Sequence, residues 1–419
     1  MTLSFPLPTA IASAAILGWC AVATAGDWPE FRGPTAQGIT DASTLPLDWD
    51  PTRNVRWKIE TPGRGWSSPV VAGDTLDLTT AVDSGGGLSL QVLAYRRSDG
   101  SKLWEREVFE VPPASVARVH QKNSHASPTP VVRDGGLYVH FGHLGTAKLD
   151  ATTGEILWAN DELSYNPVHG SGGCPVLVGD HLIFTADGGQ DPFVAALDAA
   201  SGKVAWKMPR DVEVRKTFSF CTPLAIEVDG QAQVIAPGSN VVSAFDPTSG
   251  EEIWRVRYDG YSVVPRPAFA HGLVYISTGY DSPSALAIRP DGRGDVTDTH
   301  VAWRTTKRAP LTPSFLVVGD ELYMASDNGV VSCLDARTGR LHWAERATGP
   351  ISASPLAAPG RIYLTDERGK TTVLATGKRF RILAENDLDE PTLASLAVGD
   401  STTLYLRTES HLYALGTPE

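Results

Sequence analysis

Residues 197–206 read LDAASGKVAW, and the same skeleton returns as LDATTGEILW at 149–158, FDPTSGEEIW at 245–254 and LDARTGRLHW at 334–343. Each phrase opens on an apolar residue and an acid: Asp150, Asp198, Asp246 or Asp335. A carboxylate there can accept backbone N–H bonds from the turn that follows. Gly154, Gly202, Gly250 and Gly339 come next, and glycine permits the positive φ such a turn requires. The closing tryptophan brings about 150–250 Å² of surface to bury, which suits it to fill the gap between two similar units.

Tryptophans close a segment at Trp57, Trp104, Trp158, Trp206, Trp254, Trp303 and Trp343, 40 to 54 residues apart. A period near 40–50 residues with several strands per unit is the signature of a propeller blade. One unit shows its parts in order: CPVLV, HLIFTA, FVAALDA and KVAW, four short strands separated by turn residues. The units open at Pro69, Pro130, Pro175, Pro223, Pro267, Pro313 and Pro355. Proline lacks a ladder donor and belongs at a strand start or edge, such as the innermost strand of a blade. Small residues precede it at Ser68, Thr129, Cys174, Thr222, Thr312 and Ser354, as a crowded axis demands, and Arg266 is the exception.

A seventh unit places Leu383 at the tryptophan position, and an eighth, from Thr392, ends one strand short. NVRWKIE at 54–60 is a fourth strand with nothing before it. Pairing the two chain ends supplies the missing strand and removes an open edge. The sequence therefore predicts an all-β, eight-bladed β-propeller of four-stranded antiparallel blades, closed by the N-terminal strand joining the C-terminal blade. An open solenoid, the rival, would leave both ends uncapped. The expected organisation is a signal peptide over 1–25, an extension packing on the propeller over 26–53, the propeller over 54–416 and a tail over 417–419.

Residues 1–25 carry no charged side chain and end in Ala23-Thr24-Ala25, a signal-peptidase pattern. The missing Lys or Arg before the apolar run departs from that pattern, and Trp19 before Cys20 is too bulky for a lipobox. A membrane anchor is the rival, against which stands a short, proline-interrupted run. No other segment is apolar enough to span a bilayer, so the mature chain is expected to be exported, soluble and monomeric, in the periplasm or cell envelope. Its net charge of −12 argues against non-specific nucleic-acid binding. Cys174, Cys221 and Cys333 are an odd set that excludes a disulfide framework. Cys174 and Cys221 open consecutive units one step out of register, so alternation points them apart and predicts buried free thiols.

The repeated A/L-x-D-x-x-T/S-G-x-x-x-W phrase resembles the tryptophan-docking motif of the PQQ-like eight-bladed propellers, which include quinoprotein alcohol dehydrogenases and BamB-like outer-membrane assembly factors. The resemblance covers residues 54–416, and DWPEFRGP, GRGWSSPVV, IRPDGRGDVTDTHVAWR and LASLAVGD resemble an exported bacterial subfamily. It implies the propeller fold and, for the seven tryptophans and the Asp and Gly residues of the phrase, a docking role. Two activities follow as expectations: a non-catalytic scaffold binding an envelope protein or another ligand, or a PQQ-dependent oxidoreductase using Ca²⁺. A carbohydrate-binding propeller is a third. Against the enzyme stand the lack of an adjacent cysteine pair, of a CxxCH haem site and of long insertions. No cofactor and no metal are expected on the first reading.

Other chemistry is thin. His120, His125 and His169 near one mouth suggest a transition-metal site, without a carboxylate or thiolate at ligand spacing. Asp187, Gln190 and Asp191 hint at Ca²⁺ in a turn that glycine alone explains. GSGG lacks a phosphate-loop context. Loops leading into the innermost strands gather Arg64, Trp66, Arg118, His120, Lys122, Asn123, His125, His169, Arg215, Lys216, Phe218, Arg266, Lys307 and Arg308, against Glu213, Asp389 and Glu390. The expectation is a cationic mouth, with Trp66 and Phe218 as stacking surfaces, that receives an anionic ligand or acidic segment. No residue is assigned a catalytic role.

Overall fold

The computed structural model describes residues 26–212 and 214–418, so the expected signal peptide, Glu213 and Glu419 lie outside the described residues. Eight antiparallel sheets follow one another along the chain, and the quoted phrase shows how each is made. Strands Val176–Val178, His181–Ala186, Phe193–Asp198 and Val204–Pro209 pair in sequence order, from the axis outward. The eighth sheet runs in the order Val55–Glu60, His411–Leu415, Leu404–Arg407, Ala397–Val398, joining the N-terminal strand to the last three. Trp57 pairs with Ala414 and Lys58 with Tyr413, so the ring is closed by backbone hydrogen bonds between the two ends of the chain.

The phrase forms the turn between the third and fourth strands. Asp198 Oδ1 accepts from Ser201 N and Ser201 Oγ, and Asp150, Asp246 and Asp335 bind their own turns in the same way. Hydrogen bonds led by Thr153, Ser201 and Thr338 hold the carboxyls of Asp150, Asp198 and Asp335 below the usual range. Gly154, Gly202, Gly250 and Gly339 have φ of +68° to +76°. The surface each presents is covered by the indole of the preceding blade: Trp104, Trp158, Trp206 and Trp303. Trp158, Trp206 and Trp303 also donate Nε1–H to a carbonyl of that neighbouring turn, at 2.9–3.1 Å.

A Cβ at Gly202 would lie 2.5 Å from the Trp158 ring, at a backbone angle alanine disfavours. Gly202→Ala is therefore expected to lower stability by about 1–3 kcal/mol, read as a lower urea midpoint with an unchanged m-value. Gly230→Ala is the control: its φ of +78° carries the same backbone penalty, but a Cβ there meets open space. An equal loss in both variants would show that the indole contact adds nothing.

Two units depart from the phrase. In blade 7, Val373 pairs with Ala384 and Leu374 with Ile382, so the turn is one residue longer and Ala384, not Leu383, stands in the tryptophan row. Leu383 is the bulge residue. Trp49 of the N-terminal extension stacks on Tyr363 of this row, at 6.3 Å and 21°, and fills the room Ala384 leaves. In blade 4, Trp254 is fully buried and donates to Gln233 Oε1. There the insertion IRPDGRGDVTDTH adds Gly294–Asp295 as a fifth, parallel strand beside Trp254 and Arg255, which covers that outer edge.

The extension lies along the tunnel. Trp28 pairs with Val71 of blade 1, Pro29 accepts from Val132 of blade 2, and Gly38 and Thr40 bond Ala357 of blade 7. Midway, buried Arg32 donates to Phe315 O and Pro355 O. The extension thus crosses the axis and pairs with inner-strand edges that ring closure alone would leave open. Cys174, Cys221 and Cys333 are free and buried.

Candidate functional site

Seven short side chains ring the axis two residues before the innermost strands. Ser68 N donates to Thr129 Oγ1, Thr129 N to Cys174 Sγ and Cys174 N to Thr222 Oγ1. Arg266 N donates to Ser314 Oγ, Ser314 N to Ser354 Oγ, Ser354 N to Ser395 Oγ and Ser395 N to Ser68 Oγ. Each bond runs from one blade to the next at 2.9–3.1 Å, so the belt ties the ring together at its narrowest circle. Ser314, not Thr312, belongs to it, because the blade 6 strand starts at Leu316 rather than just after Pro313. Thr312 Oγ1 instead donates to Asp327 Oδ1.

Above the belt the axis opens into a cavity of ≈ 530 Å³, and below it Phe31 of the extension forms the floor. The tunnel is therefore a blind well. Its rim carries an arc of rings from blades 2 to 5: His120 against His169 at 5.5 Å, His169 against Phe218 at 5.4 Å, Phe218 against Tyr261 at 5.4 Å and Tyr261 against Tyr280 at 6.4 Å. Lys216 Nζ lies 3.8 Å from the Tyr261 ring centroid and 3.4 Å from Asp281. Lys122 reaches over the opening from blade 2 to Glu367 of blade 7, at 2.5 Å, and to Ser352. Partial burial, then the neighbouring His120, lower the His169 imidazole below its usual value.

Of the residues expected at the mouth, Trp66, His120, Lys122, Asn123, His169, Lys216 and Phe218 line the well, and Arg64, His125, Arg266 and Arg308 do not. Arg64 is exposed and donates to Gln121 O. His125 turns back to Ala117 O, so the three histidines do not converge. Arg308 is exposed on its loop at φ +60°. Arg266 is buried under the floor, donating to Phe31 O and Pro223 O and paired with Glu30 at 3.2 Å. Asp187 is held by Arg210 through two hydrogen bonds, which leaves no calcium chelate in that turn. No group of three potential ligands for a metal ion is found among the described residues.

The sequence reading missed Phe31, Phe220, Tyr261, Tyr280, Ser352 and Glu367. In an up-and-down blade, the turn between strands two and three opens on the same face as the loop leading into strand one. Tyr280, Asp281 and Glu367 lie in such turns, which were not counted with the mouth. Both rim lysines thus have acidic neighbours, and the mouth is less cationic than its inward-leading loops suggest. The cavity wall itself contains neither Asp nor Glu. It does not fit a quinone held through a divalent cation, because it offers no carboxylate as cation ligand or as proton acceptor.

Comparison with known proteins places this geometry in context. The family model described as outer membrane protein assembly factor BamB matches residues 47–161, 142–296 and 238–415. The BamB of Shewanella oneidensis is 23% identical over 302 residues, 65% of this chain and 71% of that protein. A quinone alcohol dehydrogenase subunit of Gluconacetobacter polyoxogenes is 28% identical over 191 residues, 41% of this chain but only 25% of its own length. The BamB crystal structure from Moraxella catarrhalis superposes with a TM-score of 0.63 at 17% identity, covering 86% of this chain and 96% of that one. A europium-containing methanol dehydrogenase superposes with 0.66 at 10% identity, covering 93% and 98%. At those identities the superpositions show the shared eight-bladed fold. With the family model spanning nearly all of residues 47–415, the chain belongs to the family of the outer membrane protein assembly factor BamB.

Proposed function

We propose that this protein is a non-catalytic binding propeller of the cell envelope, a BamB-like scaffold that receives a ligand or a partner's projecting segment in its axial well. The observation that carries this reading is the well itself: open at one rim, floored by Phe31 and edged by an arc of aromatic rings. Concave sites of this size, where aromatic side chains and convergent polar groups share one wall, are where folds of this kind bind. Export, the docking role of the tryptophans and placement in the envelope belong to the same proposal. The BamB relatives support the envelope placement, the indoles seated on the neighbouring turns support the docking role, and no helix among the described residues is long and apolar enough to cross a membrane.

The test is site-specific photo-crosslinking in cells, with the crosslinker at Phe218 or Tyr280 on the rim and at Leu103 or Leu157 on the outer strands. One discrete envelope adduct from the rim positions and none from the outer ones is the expected result. Adducts confined to the outer strands would overturn it. A quinone-dependent oxidoreductase is the second reading, favoured by the similarity to dehydrogenase subunits. Adding PQQ and Ca²⁺ checks it: a bound-quinone spectrum with dye reduction by alcohols would replace the scaffold assignment.

A further inference from the structure

We infer that the axial well is a receptor for an organic carboxylate, its anionic head in the hydroxyl belt and a flat apolar body against the aromatic rim. This deepens the binding reading above and rests on it. In a chain of net charge −12, the wall of this one cavity holds two lysines and no carboxylate. Behind the floor, Arg266 donates to Phe31 O, and burial, then the neighbouring Arg266, lower the Arg32 guanidinium to about 9. At that value Arg32 stays charged at neutral pH, and Glu30 pairs with Arg266 at 3.2 Å. Around the well Lys122, Lys216, Arg266 and Arg32 stand against Glu367, Asp281, Asp327 and Glu30, so the lumen gains a positive field where an arriving anion displaces Glu367 from Lys122, and low-dielectric walls focus it.

The hydrogen-bond inventory points the same way. Each hydroxyl of the belt accepts an N–H from the preceding blade; those of Thr129 and Thr222 turn to Cys174 Sγ, while those of Ser68 and Ser395 keep their own protons available to the lumen. Trp66, on the same wall, has a buried Nε1–H without a partner. The lumen is thus rich in donors, and a carboxylate uses donors where a neutral amide uses only some of them. Lys122 is held over the opening by Glu367, a half-exposed pair weak enough for an arriving anion to displace.

The probes are indole-3-acetate and its uncharged amide, together with N-acetyl-Gly-Gly-Trp as free acid and as amide, titrated calorimetrically into the full chain at low ionic strength. Each acid is expected to bind at least about ten-fold tighter than its amide, with the preference shrinking at high salt. A preference shown by the indole pair alone identifies a free small acid as the ligand, and one shown by both pairs identifies a chain terminus. K122M/K216M should bring the acid-to-amide ratio close to one, and Glu367→Gln should tighten acid binding by freeing Lys122. Equal binding of acid and amide, or a ratio untouched by either variant, overturns the inference and leaves the well a binding site. Absence of binding by all four probes alongside intact rim crosslinks overturns the inference while the scaffold reading stands.

Discussion

Asp77→Ile will make the protein more stable at neutral pH, by about 2–4 kcal/mol, and will remove a pH dependence from its unfolding. Asp77 pairs with Val70 and Ala94, and Ala94 pairs with Trp104, so its side chain faces blade 2 in the same row as that indole. Neither Asp77 oxygen nor Trp104 Nε1 has a hydrogen-bond partner. In the other blades this slot holds Tyr138, Ile183, Ile235, Tyr275, Tyr323, Tyr363 and Tyr405. Burial pushes the Asp77 carboxyl up to about 8 from an ordinary 3.8.

The sign follows from proton counts. Between about pH 4 and pH 8 the unfolded chain has released the proton that the native state keeps, so stability falls as pH rises through that window. Above the window it no longer changes through this group. A shift of this size corresponds to roughly 6 kcal/mol in full, reduced by local relaxation to the smaller range given. Guanidinium titrations at pH 4, 6 and 8 are the measurement: the variant's advantage should grow across the series. An unchanged difference at all three values would mean that Asp77 ionises freely in the folded protein.

The second large effect is expected at Asp187 and Arg210. The guanidinium donates to both carboxylate oxygens, at 2.6 and 2.9 Å, and also to Ala236 O and Pro237 O. The two side chains are 0% and 1% exposed. Asp187→Leu leaves a buried guanidinium without its counter-ion and should cost about 3–5 kcal/mol. The pair itself contributes far less than that, because both charges have already lost their hydration. Combining Asp187→Leu with Arg210→Met should therefore recover most of the loss. A double variant as unstable as the sum of the singles would show that the two residues act separately.

The residues of the site divide by how they are specified. Trp66, His120, Lys122, His169 and Phe218 were recognisable because they sit in the loops that lead into the innermost strands, and loop position follows from the repeat. Arg266 sits in such a loop too, yet it points under the floor because Glu30 and Phe31 O receive it there. Those partners are more than two hundred residues away, and local spacing carries no trace of them. Glu367 was missed for a related reason: its turn belongs to another part of blade 7, and only the closed ring brings it over the mouth to Lys122.

By itself the sequence determined the blade, the number of blades and the way the circle closes. Those properties depend on strand alternation, a turn with an acid and a glycine, and a recurring indole, all of which act within one period of the repeat. Only the tertiary structure decided that the tunnel is blind, that Trp49 stands in for a missing blade tryptophan and that the rim lysines meet carboxylates. Each of these joins segments from different units, where position is set by packing across the ring and not by the order of neighbouring residues.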